Sequence, residues 1–145
     1  MAEIHVAVSP TQLDPAEALA FVSSTSCGGI ATFIGTVRAS AAADEHRGKP
    51  VEKLEYEAHP ELADERLAAI AAGAAERWEV ERIYAVHRTG ACGLGEATVL
   101  IATAAPHRRD ALEACRWIID EVKDGVPIWK REVYADGSAW VGAGS

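Results

Sequence analysis

The sequence lacks several features that define large classes of proteins. No apolar run reaches the roughly 18 to 20 residues that a membrane-spanning helix needs. The start, MAEIHVAVSP, has neither the basic nor the apolar region of a signal peptide, so we expect none. The three cysteines are odd in number and far apart, which disfavours both a disulfide framework and a zinc site. Together these shortages favour a protein of the reducing cytoplasm.

Basic residues are also scarce. The chain has 14 Lys and Arg against 22 Asp and Glu, a formal net charge of −8. Nucleic-acid binding needs a basic surface that displaces counterions, and adhesion to anionic membranes needs one too, so both partners are disfavoured. No two histidines have the spacing of helical metal ligands, and we predict no metal site. Because basic residues are scarce, a local cluster of cations would be evidence of a functional site.

The composition is otherwise that of a globular protein. A chain of 145 residues with 49% hydrophobic and 25% charged residues suits a single domain, residues 1–145, with a real core. Hydrophobic periodicity gives the order β-α-β-β-α-β-β-α-β-β. Strands that come in pairs between helices predict an α+β fold with three helices and a mostly antiparallel or mixed sheet. The expected strands are 4–8, 28–38, 51–59, 80–88, 97–105, 127–134 and 138–141, and the expected helices are 14–24, 60–78 and 106–125.

Short signals mark the ends of these elements. Asp14 is a candidate N-cap, and Glu17 completes a capping box. The pair Asp136-Gly137 predicts a hairpin between the last two strands. We expect residues 39–50 to form a long loop and the glycine-rich residues 90–96 to form a turn.

The third predicted helix carries positive charge at both ends. At about 100° per residue, Arg108 lies on the core side of the first turn, and His107 and Lys123 lie on opposite rims. Arg108 either snorkels to the surface or joins His107 and the free helix amides around an anion. Trp117 faces away from the core, either under a loop or at an interface. The core stripe is predicted to be Ala111, Leu112, Cys115, Ile118, Ile119 and Val122.

The segment PIWKRE places a second lysine among apolar residues. Strand alternation puts Lys130 on one face with Ile128 and Glu132, and Arg131 on the other face with Trp129. Lys130 is then either a solvated edge-strand residue or a partly desolvated lysine with a lowered pKa, suited to acid–base or nucleophilic work. The residues alone leave both interpretations open.

Two further strand ends carry candidate residues. Arg38 follows the apolar strand 28–38 and offers a guanidinium beside backbone amides. Cys92 lies in the glycine-rich turn, but no cation closer than Arg88 is available to lower its pKa, so a structural role is favoured. Cys115 lies on the core stripe and is predicted to be a packing residue.

Six segments with a distinctive sequence are spread over nearly the whole chain: FIGTVR (33–38), LEYEAHPELA (54–63), HRTGACGLGE (87–96), PHRRDA (106–111), VKDGVPIWKRE (122–132) and DGSAWV (136–141). Together they resemble a known family, the large catalytic subunits of molybdopterin synthase. The family more often has an aromatic residue at His59, a lysine at Arg131 and a larger aliphatic residue at Cys92.

The resemblance implies a fold, a reaction and partners. The fold would be α/β-hammerhead-like. The reaction would add two sulfurs to cyclic pyranopterin monophosphate and so form the dithiolene of molybdopterin. A small ubiquitin-like subunit would deliver the sulfur as a C-terminal Gly-Gly thiocarboxylate, so no resident cofactor is expected. Two large subunits would form a homodimer at the centre of a heterotetramer.

The resemblance also implies the roles of the scattered cations. Two anionic guests in one pocket need compensating positive charge. Lys123 would orient the thiocarboxylate, and Lys130, positioned by Glu132, would act as acid–base or electrostatic partner. The alternatives are a non-catalytic binding homologue and a sulfurtransferase that depends on Cys92. The predicted substrate-binding set is Thr36, Val37, Arg38, His107, Arg108, Lys123, Lys130, Arg131 and Glu132, with Lys123 and Lys130 catalytic.

Overall fold

The computed structural model describes residues 1–41 and 47–143. Within this part, no helix is long and apolar enough to cross a membrane. Residues 42–46 of the predicted loop 39–50 lie outside the described residues, and Ser40 and Pro50 on either side form an antiparallel bridge. The strands are β1 (Glu3–Ser9), β2 (Gly29–Thr36), β3 (Val51–Ala58), β4 (Arg82–Arg88), β5 (Gly90–Gly93), β6 (Ala97–Ala105), β7 (Ile128–Tyr134) and β8 (Ala139–Ala143), and the helices are α1 (Pro15–Val22), α2 (Pro60–Arg77) and α3 (Arg108–Gly125).

The first sheet has the strand order β1-β4-β6-β2. β1 pairs with β4 in parallel, whereas β6 pairs antiparallel with β4 and β2. The strand β6 is buried on both faces, as its continuous apolar sequence predicts. The helix α1 packs on one face against β4 and β6, and α2 and α3 pack side by side on the other. The strand β2 is left at the edge of the sheet.

The second sheet has the order β5-β3-β7-β8 and is antiparallel throughout. The α+β class with antiparallel and mixed strands is thus confirmed, and the strands are divided between two sheets. The prediction of a turn over 90–96 is wrong for its first part, because residues Gly90 to Gly93 pair with β3 as the short strand β5. The hairpin between β7 and β8 forms at Asp136-Gly137, where Gly137 adopts a φ of 89° that favours glycine.

Side chains cap the first two helices as local rules require. The Asp14 carboxylate accepts a hydrogen bond of 3.0 Å from the Ala16 N–H, which confirms Asp14 as N-cap. His59 takes the same role for α2, since its Nδ1 accepts from the Leu62 N–H at 3.2 Å. The histidine at position 59 therefore supplies the cap of this helix.

The third helix buries its predicted stripe with one exception. Ala111, Cys115, Ile118, Ile119 and Val122 are buried, whereas Leu112 is 59% exposed and the prediction for it is wrong. Leu112 lies about 40° around the helix from Arg108, on the rim of the stripe.

Trp117 packs against α2 rather than under a loop. Its ring lies edge-on to Trp78, with ring centroids 5.8 Å apart, and the Arg77 guanidinium stacks 4.5 Å from its centroid. A Cβ on Gly73 would approach the Trp117 ring to 3.0 Å, so the small residue of α2 makes room for the indole. The tryptophan therefore joins α2 to α3.

Candidate active site

A cavity of about 450 Å³ opens where the first sheet meets the second. The C-terminal half of β2 and the residues after it form one wall, and the inner faces of β3 and β7 form the opposite wall. The last turn of α3 and the start of β6 close the remaining sides. The lining residues are Phe33, Ile34, Gly35, Thr36, Arg38, Ser40, Leu54, Tyr56, Thr98, Val99, Lys123, Lys130 and Glu132.

Among the described residues, three cations and one carboxylate line this cavity. Arg38 comes from the chain just after β2, Lys123 from the last turn of α3, and Lys130 from the middle of β7. Glu132 supplies the carboxylate. In a chain with a net charge of −8, this local surplus of positive charge favours an anionic ligand.

Lys130 is the most desolvated of these cations. Burial lowers its pKa, the Glu132 carboxylate opposes that change, and the charges of Lys123 and Arg38 lower the pKa further. Its ammonium lies 5.6 Å from the centroid of the Trp140 ring, a cation–π arrangement. The structure thus supports the interpretation of Lys130 as a partly desolvated lysine and excludes a fully solvated edge residue.

Glu132 is held in place beneath the lysine. The side chain is only 7% exposed, and its Oε1 accepts a hydrogen bond of 2.8 Å from the buried Tyr134 hydroxyl. Lys130 and Glu132 project to the same side of β7, as the strand alternation predicts. A buried carboxylate fixed in this way can hold the lysine in position without neutralising the pocket.

The floor of the cavity contains two hydroxyls that the sequence analysis did not single out. Tyr56 stands opposite Lys130 in the β3–β7 register. Burial raises the pKa of Tyr56 to about 12, against the effect of a hydrogen bond with Thr98. The sequence could have indicated the inward position of Tyr56, because the alternation of β3 puts Tyr56 on the apolar face with Leu54.

A buried histidine supports this floor from behind. The His87 ring lies edge-on to Tyr56, with centroids 4.8 Å apart. Its Nδ1 lies 2.7 Å from the Arg88 carbonyl oxygen and donates to it, which leaves Nε2 as an acceptor. This Nε2 has no hydrogen-bond partner among the described residues. Burial is the main cause that lowers the pKa of His87 to about 4; the hydrogen bond to the Arg88 carbonyl opposes this change and the charge of nearby Lys123 adds to it, so the ring is neutral at pH 7.

Five of the nine predicted substrate-binding residues line the cavity: Thr36, Arg38, Lys123, Lys130 and Glu132. Val37 is adjacent but buried. Its N–H donates to the Glu96 carbonyl and its C=O accepts from the Gly95 N–H, so its backbone is already engaged in holding the turn before β6. The prediction that Val37 binds substrate therefore has no support in this geometry.

Arg131 lies on the opposite side of the second sheet. Its guanidinium donates to the Glu55 carboxylate at 2.7 Å, and both side chains are partly exposed. Strand alternation is the reason, because adjacent residues of β7 project to opposite faces. Arg131 thus does not join Lys130 around the cavity.

His107 and Arg108 are also absent from the lining of this cavity. They begin α3, whereas Lys123 lies in its last turn, and 15 residues of helix separate Arg108 from Lys123 by about 22 Å. Both His107 and Arg108 are exposed. Within one chain, the helix start and the cavity are therefore separate places.

The three cysteines lie away from the cavity lining. Burial raises the pKa of Cys92, although the charge of Arg88 partly opposes the change. Burial raises the pKa of Cys115 to about 11. Cys27 also has a raised pKa, first through burial and then through its hydrogen bond of 2.7 Å to Glu81. No group of three or more His, Cys, Asp or Glu side chains in residues 1–41 and 47–143 is placed to hold a metal ion.

Fold and cavity together define an α+β protein with a cationic pocket, and comparison with known proteins identifies its family. The family model described as MoaE protein matches residues 8–125. The molybdopterin synthase catalytic subunit of Pyrococcus abyssi is 43% identical over 139 residues, 96% of this chain and 90% of that protein. The subunit of the same name from Oryza sativa subsp. japonica is 46% identical over 129 residues, 89% of this chain but only 64% of that protein.

A solved structure agrees with these relatives. The crystal structure of molybdopterin synthase from Staphylococcus aureus superposes with a TM-score of 0.86 at 30% identity, covering 94% of this chain and 96% of that chain. The chain belongs to the MoaE family. The resemblance found in the sequence is therefore confirmed, and so is the fold that it implied.

Proposed function

We propose that this protein is the catalytic subunit of a molybdopterin synthase, a sulfurtransferase of molybdenum cofactor biosynthesis. It transfers sulfur from the C-terminal Gly-Gly thiocarboxylate of a small carrier subunit to cyclic pyranopterin monophosphate. The observation that carries the proposal is the cavity in which Arg38, Lys123 and Lys130 converge in an otherwise acidic chain. Both guests are anions, and their approach needs cations that offset their mutual repulsion.

The proposal divides the binding work between two types of cation. Arg38 presents a planar fork of donors that matches a phosphate, and the neighbouring Thr36 hydroxyl adds a further donor. Lys123, on the exposed end of α3, binds the carrier's thiocarboxylate as a mobile point charge. When the thiocarboxylate sulfur attacks the substrate carbon, negative charge passes to the oxygen on that carbon, and Lys123 stabilises it. Water then cleaves the bond between the carrier's acyl carbon and the sulfur, so the sulfur stays on the substrate and the carrier leaves as a carboxylate.

Lys130 is the proposed acid–base group. Its lowered pKa brings it closer to neutral pH than a free lysine, which improves proton transfer. Glu132 holds the ammonium on the cavity side of β7, and the Tyr134 hydroxyl fixes Glu132 in turn. The mechanism uses no thiol and no resident cofactor of this chain, because the sulfur arrives in trans.

His107 and Arg108 enter the proposal through a second copy of the chain. The proposed enzyme is a heterotetramer, with a homodimer of this subunit at its centre and one small carrier on each. Because Arg108 lies about 22 Å along α3 from Lys123, it can reach phosphate or pterin only in the pocket of the other subunit. Val37 and Arg131 keep structural roles in this scheme. The free cysteines agree with the proposed cytoplasmic location.

The proposal is tested with a reconstituted assay that contains thiocarboxylated carrier and pyranopterin substrate. Lys123→Ala and Lys130→Ala should each lower dithiolene formation by at least about a hundredfold, because each removes charge stabilisation at the reaction centre. Lys53→Ala is the matched control, since Lys53 lies on β3 outside the cavity and pairs only loosely with Glu55. Near-normal turnover by the Lys123 variant would remove that residue from the mechanism.

The same assay tests the shared site. Chains with Lys123→Ala and chains with Arg108→Ala should each be inactive alone. In an equimolar mixture that exchanges subunits, half of the dimers carry one of each, and one of their two sites is intact. About a quarter of wild-type activity should then return. A mixture that stays as inactive as its components would show that Arg108 does not act across a dimer.

A further inference from the structure

The indole of Trp140 lies beside Lys130 at the edge of the second sheet. In the register of β7 with β8, Trp140 is paired with Glu132, and Gly142 is paired with Lys130. Directly paired residues of an antiparallel sheet project to the same face, so Trp140 and Gly142 both lie on the cavity side of β8. Among the described strands, β8 ends this sheet, so water would reach Lys130 across β8 if nothing covered it.

Gly142 makes room for the indole at this place. A Cβ on Gly142 would lie only 2.2 to 2.9 Å from three atoms of the six-membered ring of Trp140. The ring therefore extends along the strand from residue 140 and covers the position directly opposite Lys130. Gly142 does not have the positive φ of the hairpin residue Gly137, so its backbone suits any residue. The need for glycine at 142 comes from the contact with the ring.

The covered position brings the ring close to the ammonium of Lys130. The Lys130 Nζ lies 5.6 Å from the ring centroid, near the limit of about 6 Å for a cation–π contact, so the ring acts on the lysine mainly as a cover. Trp140 is itself partly buried and packs against the main hydrophobic core, which holds the ring in place. It is absent from the residues that line the cavity, so a ligand there does not touch it.

We propose that Trp140, seated on Gly142, is a positioning residue that holds the Lys130 ammonium at the cavity and shields it from water at the sheet edge. The effect on catalysis rests on the proposed function, because Trp140 acts through Lys130, the proposed acid–base group. The placement of the ring beside the lysine does not depend on that function.

The groups that face Lys130 decide what the loss of this cover would do. Burial is the largest cause of its lowered pKa, Glu132 on its own strand opposes the change, and the charges of Lys123 on α3 and Arg38 after β2 add to it. Tyr56 of β3, directly opposite, is neutral because its pKa is about 12. The sequence of β8, AWVGA, contains no charge. Removing the indole therefore changes no charge around Lys130, and the admission of water should raise its pKa.

An NMR titration of the Lys130 side chain tests the proposal on the purified chain, without substrate or carrier. Its ε-methylene signal is assigned by its loss in Lys130→Arg. In Trp140→Ala, the pKa of Lys130 should rise by at least about 0.5 towards its ordinary value of 10.5. Gly142→Ala displaces the ring without deleting it and should also raise the pKa. The double variant should rise no further than Trp140→Ala, because both changes act through one side chain.

Trp140→Phe keeps an aromatic ring at this position and should restore most of the parent pKa. The matched controls project from the outer face of the same two strands. Trp129→Ala on β7 and Val141→Ala on β8 should each leave the pKa of Lys130 unchanged, since both side chains are exposed on the far side of the sheet. A parent-like or lower pKa in Trp140→Ala would overturn the proposal, and so would effects of the Trp140 and Gly142 changes that simply add.

The sulfur-transfer assay measures the consequence for catalysis. Trp140→Ala should lower kcat at least about tenfold and leave the KM for the pyranopterin substrate within about twofold, because the indole touches Lys130 but not the ligand. The pH at which kcat is half-maximal should rise with the pKa measured by NMR. An inactive parent chain would refute the proposed function, and the NMR titration would still decide the role of Trp140 at Lys130. An active parent chain whose kcat and pH profile survive Trp140→Ala would overturn the positioning role.

Discussion

Replacing His87 with leucine should remove most of the dependence of folding stability on pH between 5 and 7. The His87 ring is fully buried, and its pKa is about 4 in the folded protein against about 6.5 in the unfolded chain. Between these values the unfolded chain binds the extra proton, so stability is complete above pH 6.5 and is lost as the pH falls towards 4. From pH 7 to pH 5, the loss amounts to about 2 kcal/mol at about 1.4 kcal/mol per pKa unit.

A loss of this size is measurable by urea denaturation at several pH values, since the total free energy of unfolding of a small domain is about 5–15 kcal/mol. His87→Leu should be less stable at pH 7, because the Arg88 carbonyl loses its donor, but its stability should change little between pH 7 and 5. The control is Val86→Ala, a buried change on the opposite face of β4 that lowers stability at every pH and keeps the slope. A leucine variant with the full wild-type slope would refute the assignment of this titration to His87.

Two further predictions concern a helix cap and the thiols. Asp14→Ala should cost about 1 kcal/mol of unfolding free energy, because the Ala16 N–H loses its acceptor, and Asp14→Ser should restore most of it in the same urea titration. Iodoacetamide at pH 7 should leave sulfur transfer intact, because burial raises the pKa of all three cysteines and none of them lines the cavity. Rapid inactivation with modification of Cys92 would instead support the thiol mechanism.

Local rules predicted the elements of the fold because their signals lie within a few residues of each other. The cap at Asp14, the hairpin at Asp136-Gly137 and the double burial of β6 all follow from short windows. Strand β5 was missed because its four residues, half of them glycine, are defined by hydrogen bonds to β3, more than 30 residues away. The division into two sheets was missed for the same reason, since periodicity identifies strands but not their partners.

In the candidate site, too, features set by local sequence could be predicted and features set by packing could not. Alternation along β7 predicted that Lys130 and Glu132 share the inner face, and the structure agrees. That alternation already put Arg131 on the outer face, so grouping it with Lys130 conflicted with the pattern itself. The separation of Arg108 from Lys123 likewise follows from helix length, about 1.5 Å per residue over 15 residues. The alternation of β3 already put Tyr56 on the apolar face, but Thr98 reaches the floor only through the packing of one sheet against the other, which no single segment encodes.

The charge balance of the cavity explains why its cationic lining includes one carboxylate, Glu132. Three cations around one cavity repel each other, and burial alone already lowers the pKa of Lys130. Without Glu132, the pKa of this lysine would be lower still, because nothing would oppose the effect of burial. With several carboxylates, the pocket would be neutral. One buried carboxylate, itself fixed by Tyr134, opposes the lowering of the Lys130 pKa while the pocket stays cationic. The cationic surroundings bind an anion, and the lowered pKa of the lysine favours its transfer of a proton.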